Sequence, residues 1–491
     1  MLVALAASGC RAQSASPAAA SRDSFAPTQT RQIRSFGAVG DGRTDDTAAL
    51  ARALAASDGY CLDGEGRTYR VVGTLHATHD LCLRNVTLDQ SLVPFDTRQY
   101  VRSACPAIAN ASAIVDCGDP AIRPEDLKAL QDSLGVRTLL IRPDQGSGPL
   151  HLILDHVKVD TGRYPEAGSR TDSAGIWIEG ADGATLRNVE VTGSGKGHPL
   201  IVLRSSNVAV DGLWIHDIVW GPYSGEAPLV RERVAAAGWN TYPIHEFRRA
   251  GQQGAKFAKF YGVRVQEQVT CAAFAEVHNV VIRNARISRC MARFVDGDLP
   301  WQADGLDVAR SSSNILVDSP VIDTIWEGMD VVANGTGIDG LRIVSPRVTN
   351  CFSFCLKLGK QLRKPVVSGA IIRNAGIAGI VFYGPVQDGK LDGATIDGLG
   401  TIVVAGRNFV PWPKQPGAGV QINEGTSGSG SDERSTPRGL EIDNVAVSSG
   451  GGPAYGFGVL NKGGEGVHVQ GLRATGFNRA AIGGSGPVSR N

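Results

Sequence analysis

The stretch 302–332, QADGLDVARSSSNILVDSPVIDTIWEGMDVV, says the same thing twice. Asp304-Gly305-Leu306-Asp307-Val308 returns as Glu327-Gly328-Met329-Asp330-Val331, 23 residues later. Between the copies lies an apolar alternation through Ile315 and Val317, then Val321 and Ile322. Short strands recurring at this interval specify stacked coils rather than one closed core. Equal positions of such a stack sit above one another at about 4.8 Å per rung. The repeat therefore predicts four carboxylates gathered in one small patch.

The rest of the chain supports the stacking. Segments 81–89, 150–160, 184–191, 207–215, 277–282, 371–382 and 440–447 repeat the form N-V-x-V/I-x-N/D-x-x-I/V. Period-two apolar residues point inward and Asn, Asp or Gly makes the bend. With 491 residues, 62 of them Gly and only 6% aromatic, the chain suits many tight turns and thin strands in one long domain. A net charge of +1 gives no nucleic-acid footprint, and no apolar run is long enough to span a bilayer.

Two segments break the rhythm and read as insertions. One covers about 92–137, with Cys105, Cys117 and a predicted helix over 123–134. The other covers about 220–275 and carries Trp220, Tyr223, Trp239, Tyr242, His245, Phe247 and Phe257 among scattered Arg and Lys. A long loop in a compact repeat domain is functional or disordered. Here the rings suit stacking on sugars and the cations suit uronate carboxylates; a helical flap packed on the coil reads equally well.

The N-terminus, MLVALAASGC, resembles the lipobox of a bacterial lipoprotein, with Cys10 as the acylated residue. An ordinary secretory signal is the other reading. Residues 1–10 are then the signal, 11–32 an Ala/Ser/Pro-rich disordered tether, and 33–491 the folded domain. Both readings predict export to the periplasm or outer membrane, with membrane contact only through the lipid. Eight cysteines remain of nine, an even number that permits disulfides in an exported protein. The spacings pair Cys61 with Cys82, Cys105 with Cys117, Cys271 with Cys290 and Cys351 with Cys355. Buried free thiols are the alternative. No Cys/His zinc spacing occurs.

Near residue 33 the pattern changes. Gly37, Gly40 and Gly42 punctuate a loop, Asp45, Asp46 and Thr47 offer N-caps, and 48–56 has strong helix propensity with Leu50 and Leu54 on one face. Phe36-Gly37-Ala38, Gly40-Asp41-Gly42, Thr44-Asp45-Asp46-Thr47 and Thr68-Tyr69 resemble the N-terminal cap of the pectin-lyase-like superfamily, in particular its rhamnogalacturonase/epimerase-like pectate lyase domain. The resemblance implies an all-β, single-domain right-handed parallel β-helix with a capping helix. Lyases, hydrolases, epimerases and phage tailspikes share that fold, so chemistry must come from the site.

Leu306 and Val308 point into the core, so Asp307 faces out, and Asp330 does so one rung on. A rung later Lys357 aligns with Asp330, giving an outward column Asp307, Asp330, Lys357 and a bend column Asp304, Glu327, Phe354. Stacked like charges favour one protonated carboxyl among them. A protonated acid beside an ionised base is what hydrolysis of a glycosidic bond needs. Each acid alone is equally consistent with turn chemistry or with neutralisation by Lys357. Gln302-Ala303-Asp304-Gly305-Leu306-Asp307 resembles the Asn-Thr-Asp-Gly-x-Asp motif of polygalacturonases, whose mechanism is inverting hydrolysis. On that resemblance Asp304 matches a catalytic Asp, Glu327 and Trp326 replace two others, and the Gly-His-Gly motif is absent. Asp304 ranks first, Glu327 is a substituted partner, and Asp307 and Asp330 support them. Lys357, Trp301, Trp326 and His198 are candidate substrate contacts, Trp301 as a stacking platform and His198 as a base or ligand.

The expected partner is an acidic polysaccharide and no cofactor is expected. Two further functions stay open. A lyase would draw a base or cation from Lys357, Lys360, Arg363 or His198, and Ca2+ would suit it. A non-catalytic envelope protein would only bind polysaccharide.

Overall fold

The computed structural model describes residues 25, 27–91, 137–162, 174–193, 198–220, 257–260, 263–266, 269–292, 303–333, 337–404, 407–410, 417–426, 434–450, 456–477 and 481–490. Cys10, Trp301, the Cys105–Cys117 pair, nearly all of the 92–137 insertion and the aromatic segment 221–256 lie outside them. No helix among the described residues is long and apolar enough to cross a membrane.

The described chain is a right-handed parallel β-helix. One face is a 12-stranded sheet whose strands follow one another in sequence order, one per coil. The other faces merge into a 26-stranded sheet. Leu306, Met329, Leu356 and Ile380 stack inward in register, as do Val308, Val331, Leu358 and Phe382. They form one continuous apolar core running the length of the coil. Bends are made largely by residues in the left-handed region, Asn207, Asn279 and Asn314 among them. These three also ladder: Asn279 Nδ2 donates to Asn207 Oδ1 at 3.2 Å and Asn314 Nδ2 to Asn279 Oδ1 at 3.1 Å.

The cap is as expected in kind. Its helix runs Thr47–Ala55 and buries Ala49, Leu50, Ala53 and Leu54. The acidic motif has a local purpose. Asp46 is the N-cap residue, but its carboxylate accepts from the Val39 and Gly40 amides, at 2.7 and 3.0 Å, and so ties down the glycine loop. Asp45 accepts instead from the Thr47 amide at 3.0 Å.

Three boundaries move. The strand Gln29–Gln32 pairs with Tyr60–Asp63, so ordered structure begins ahead of residue 33 and the expected tether is too long. The strand Arg137–Ile141 belongs to the coil. So does Val269–Ala275, which shortens the second insertion; its described part includes a hairpin, Phe257–Phe260 with Val263–Gln266. The disulfides Cys61–Cys82, Cys271–Cys290 and Cys351–Cys355 form as the spacings anticipated.

One column has no room for side chains. A Cβ on Gly305 would collide with the Gly328 carbonyl, and one on Gly328 would collide with the Cys355 carbonyl and lie 2.5 Å from Val348 Cγ1. The glycine of each Asp/Glu-Gly-x-Asp repeat is thus a packing requirement of the corner that sets up the acidic strand. Gly328→Ala is expected to cost about 2–3 kcal/mol through overpacking. Gly66→Ala, at φ +70° with nothing within 4 Å, is expected to cost about 1 kcal/mol. Thermal unfolding of both variants checks this; equal losses would contradict a close-stacked corner.

Candidate active site

The two repeat copies are adjacent strands of the 12-stranded sheet, Ala303–Ala309 and Glu327–Val332. Asp304 pairs in register with Glu327 and Asp307 with Asp330. The next strand, Phe354–Gly359, sets Lys357 on Asp330. The outward column is therefore complete, and the bend column is present at Asp304 and Glu327.

Asp304, Glu327 and Asp330 are all buried, and each offers an oxygen such that the three lie within 4.8 Å of one another. Asp307 is half-buried at the edge of the group. Lys357 Nζ donates to Glu327 Oε2 at 2.9 Å and to Asp330 Oδ2 at 3.2 Å. Burial draws the Lys357 ammonium toward its neutral form, but Asp330, Glu327 and Asp304 outweigh this and hold its pKa well above the ordinary 10.5. Lys357 is therefore a permanent cation at neutral pH. This one ammonium offsets part of the charge of the three carboxylates. Asp330 Oδ1 is buried and, among the described residues, accepts no hydrogen bond. A buried carboxylate oxygen left open is costly and marks a place for a ligand or water.

The oxygen spacing is nearer the ~5–5.5 Å of carboxylate pairs that form a covalent intermediate than the ~6.5–9.5 Å that admits water between them. Inversion thus rests on the resemblance and not on the spacing. Three hard oxygen donors would also suit a divalent cation such as Ca2+. The Lys357 ammonium already bridges two of them, so a cation would have to displace it.

Trp326, a candidate substrate contact, has its ring in the apolar core. It is only 8% exposed, belongs to the apolar core and stacks on Phe352 with ring centroids 6.3 Å apart. The residue follows Ile325 at a corner and turns its ring inward. His198 is buried too, and its Nδ1 lies 3.2 Å from both the amide and the carbonyl of Thr270. Thr270 pairs with Asp304, so His198 shares the bend column two rungs away, at about 9.6 Å. Its ring latches the backbone of the neighbouring strand.

A cavity of about 520 Å3 lies on other coils, lined by His76, Arg142, Asp144, Glu179 and Arg204 among others. Its Glu179 is paired with Arg204 and lies 4.0 Å from Arg142. A carboxylate neutralised by two guanidiniums is poorly placed for acid/base work, so the chemistry favours the acidic cluster over the roomier cavity.

Lys357→Met would leave buried carboxylates without their cation, at a cost of about 3–5 kcal/mol. A raised ammonium contributes stability at all pH values below its ordinary pKa and loses it as pH rises through the raised one. The stability gap to wild type is therefore expected to persist from neutral pH until above 10.5, and millimolar Ca2+ should narrow it. Thermal unfolding across pH tests this; a gap absent at neutral pH would contradict the ion-pair geometry.

Among families, the N-terminal extension of bacteriophage endosialidase matches residues 38–76, the cap and first strands. No curated protein matches the chain. Among solved structures, the family 28 exopolygalacturonase of Yersinia enterocolitica is similar at 12% identity and a TM-score of 0.53, over 93% of this chain and 78% of that one. The Agl-KA catalytic domain is similar at 13% identity and a TM-score of 0.53, over 95% and 69%. PfbA, a surface adhesin of Streptococcus pneumoniae, is similar at 13% identity and a TM-score of 0.44, over 94% and 91%. At such identities the likeness carries architecture and not chemistry. With the cap, the coils and the two solved structures of TM-score 0.53 together, the chain has the right-handed parallel β-helix fold.

Proposed function

We propose that the protein is an exported polysaccharide-degrading enzyme, a glycoside hydrolase that cuts an acidic polysaccharide with the carboxyls of Asp304, Glu327 and Asp330. The observation that carries this reading is the cluster itself: three buried carboxylates within 4.8 Å, one with an open oxygen, over a permanent cation. In this reading Asp304, wholly buried, gives its proton to the leaving glycosidic oxygen as the C–O bond breaks. Asp330 Oδ1 takes a proton from the incoming water. Glu327 and Lys357 hold the pair in place, and the exposed fraction of Lys357 meets a substrate carboxylate. The Yersinia enterocolitica exopolygalacturonase, similar in fold, adds support for a polysaccharide substrate.

Elimination is the second enzyme reading, and Lys357 weighs against it. Abstraction of a C5 proton needs an unprotonated base, and Lys357 is held protonated. A purely binding surface gains nothing from burying three acids. Export fits three disulfides, which persist in oxidising compartments. Acylation at Cys10, and anchoring to the outer membrane through it, belong to the same proposal.

The test is a screen of acidic polysaccharides with reducing ends and near-ultraviolet absorbance read on the same samples. Reducing ends should appear without absorbance. Asp304→Asn and Asp330→Asn should each lower kcat about 10²–10⁴-fold, and Glu327→Gln should also lower it. Absorbing ends would establish the lyase. Undiminished cutting by both Asn variants would remove the cluster from catalysis. The anomer first released, read by NMR, separates attack by water from a covalent intermediate.

A further inference from the structure

Five large hydrophobic side chains are prominently exposed among the described residues, and three of them share one column. Trp214 pairs with Arg286, Arg286 with Val321, Val321 with Arg347, and Arg347 with Ile371. Trp214 and Val321 are each 43% exposed and Ile371 is 37% exposed. The column thus alternates apolar, cationic, apolar, cationic, apolar over about 19 Å, four rungs of the coil. Both arginines are exposed, and among the described residues neither guanidinium has an ion-pair or hydrogen-bond partner. Arg373, also exposed, stands two residues beyond Ile371 on the same strand. The acids near this stretch are already engaged: Glu190, one rung beyond Trp214, pairs with Lys158 at 2.6 Å, Asp217 on the Trp214 strand pairs with Arg289 at 2.6 Å, and Asp323 accepts from Asn350 Nδ2 at 3.1 Å and Thr324 Oγ1 at 3.0 Å. The Trp214 ring is held rigid by stacking on His216, centroids 4.0 Å apart, with its edge column open to solvent.

We propose that this column is a docking strip for an acidic polysaccharide chain lying parallel to the coil axis, separate from the acidic cluster. The inference rests on the acidic-substrate reading above. Charge complementarity selects the occupant. The arginines recur every second rung, about 9.6 Å apart, and meet carboxylates along one edge of an extended polyuronate. Trp214, Val321 and Ile371 cover the apolar faces of the sugar rings between them. A second copy of this chain in parallel register would set Arg286 and Arg347 against like charges, which disfavours it. The strip belongs to the strands that lead into the acidic face: Val321–Ile325 turns at Trp326 into Glu327–Val332. A chain held there lies one corner from Asp330, so the strip would keep a long polymer beside the cluster between cuts.

The experiment uses the full chain carrying Asp304→Asn, so that polymer is not consumed, in affinity electrophoresis against polygalacturonate, alginate and neutral dextran. Retardation by a polyuronate, not by dextran, is expected, and it should fade as salt rises. Arg286→Glu/Arg347→Glu should weaken it roughly tenfold, the size of two lost exposed charge contacts. Arg286→Gln/Arg347→Gln gives the same readout with less perturbation, and far-ultraviolet circular dichroism confirms the coil in each. Undiminished retardation of both double variants, no retardation by either polyuronate, or equal retardation by dextran would overturn the strip. So would an oligomer that Trp214→Ala dissociates, since the strip would then join copies of the chain. Polymer held through the strip but never cut by wild type would sink the hydrolase and leave the strip standing; cutting without strip-dependent binding would do the reverse.

Discussion

The parallel hydrogen-bond ladder sets the distances on which everything else in this molecule depends. It spaces equal positions about 4.8 Å apart, and no side chain can relax that interval without breaking backbone hydrogen bonds. Apolar residues at this spacing form a continuous core. Asn side chains at this spacing ladder along the bends. Carboxylates at this spacing are forced together. Asp304 over Glu327 and Asp307 over Asp330 would not approach so closely on independent loops.

Such enforced proximity has a cost, and the protein meets it with Lys357, one rung on in the same column. The ammonium offsets part of the repulsion and is itself stabilised by it. Balance is incomplete by design of the column: among the described residues nothing donates to Asp330 Oδ1, and one ammonium faces several carboxylates. A wholly structural cluster would be expected to close these gaps. The glycine of each repeat belongs to the same logic, because only a residue without Cβ lets the corner close and bring the acids into line.

The fold was legible because every rung repeats its evidence, and the acidic columns were legible because identical motifs return at a fixed offset. Even Lys357, beyond a longer loop, could be aligned by its flanking apolar residues. The failures are of a different kind. Asp307 and Asp330 share a column, yet only Asp330 is buried: Ala273 neighbours Asp307 while Lys357 covers Asp330. Burial depends on neighbouring rungs, which a motif does not report. Trp326 sits beside the motif, but its direction is decided at the corner, where Phe352 receives it. His198 lies 72 residues from Thr270, across the second insertion, so its place in the acidic column could not be counted out. The strand Gln29–Gln32 has no apolar alternation and all four residues are exposed; it exists because the edge of Tyr60–Asp63 is available to pair.

If the stacked acids embrace a glycosidic bond, a bound substrate must place that bond among them. The most direct measurement is a crystal structure of the Asp304→Asn protein with a bound acidic oligosaccharide, the kind of chain that the screen shows to be cut. A glycosidic oxygen is expected within about 3.2 Å of residue 304, with a water or sugar hydroxyl on Asp330 Oδ1. A saccharide bound with every glycosidic oxygen remote from Asp304, Glu327 and Asp330 would contradict it.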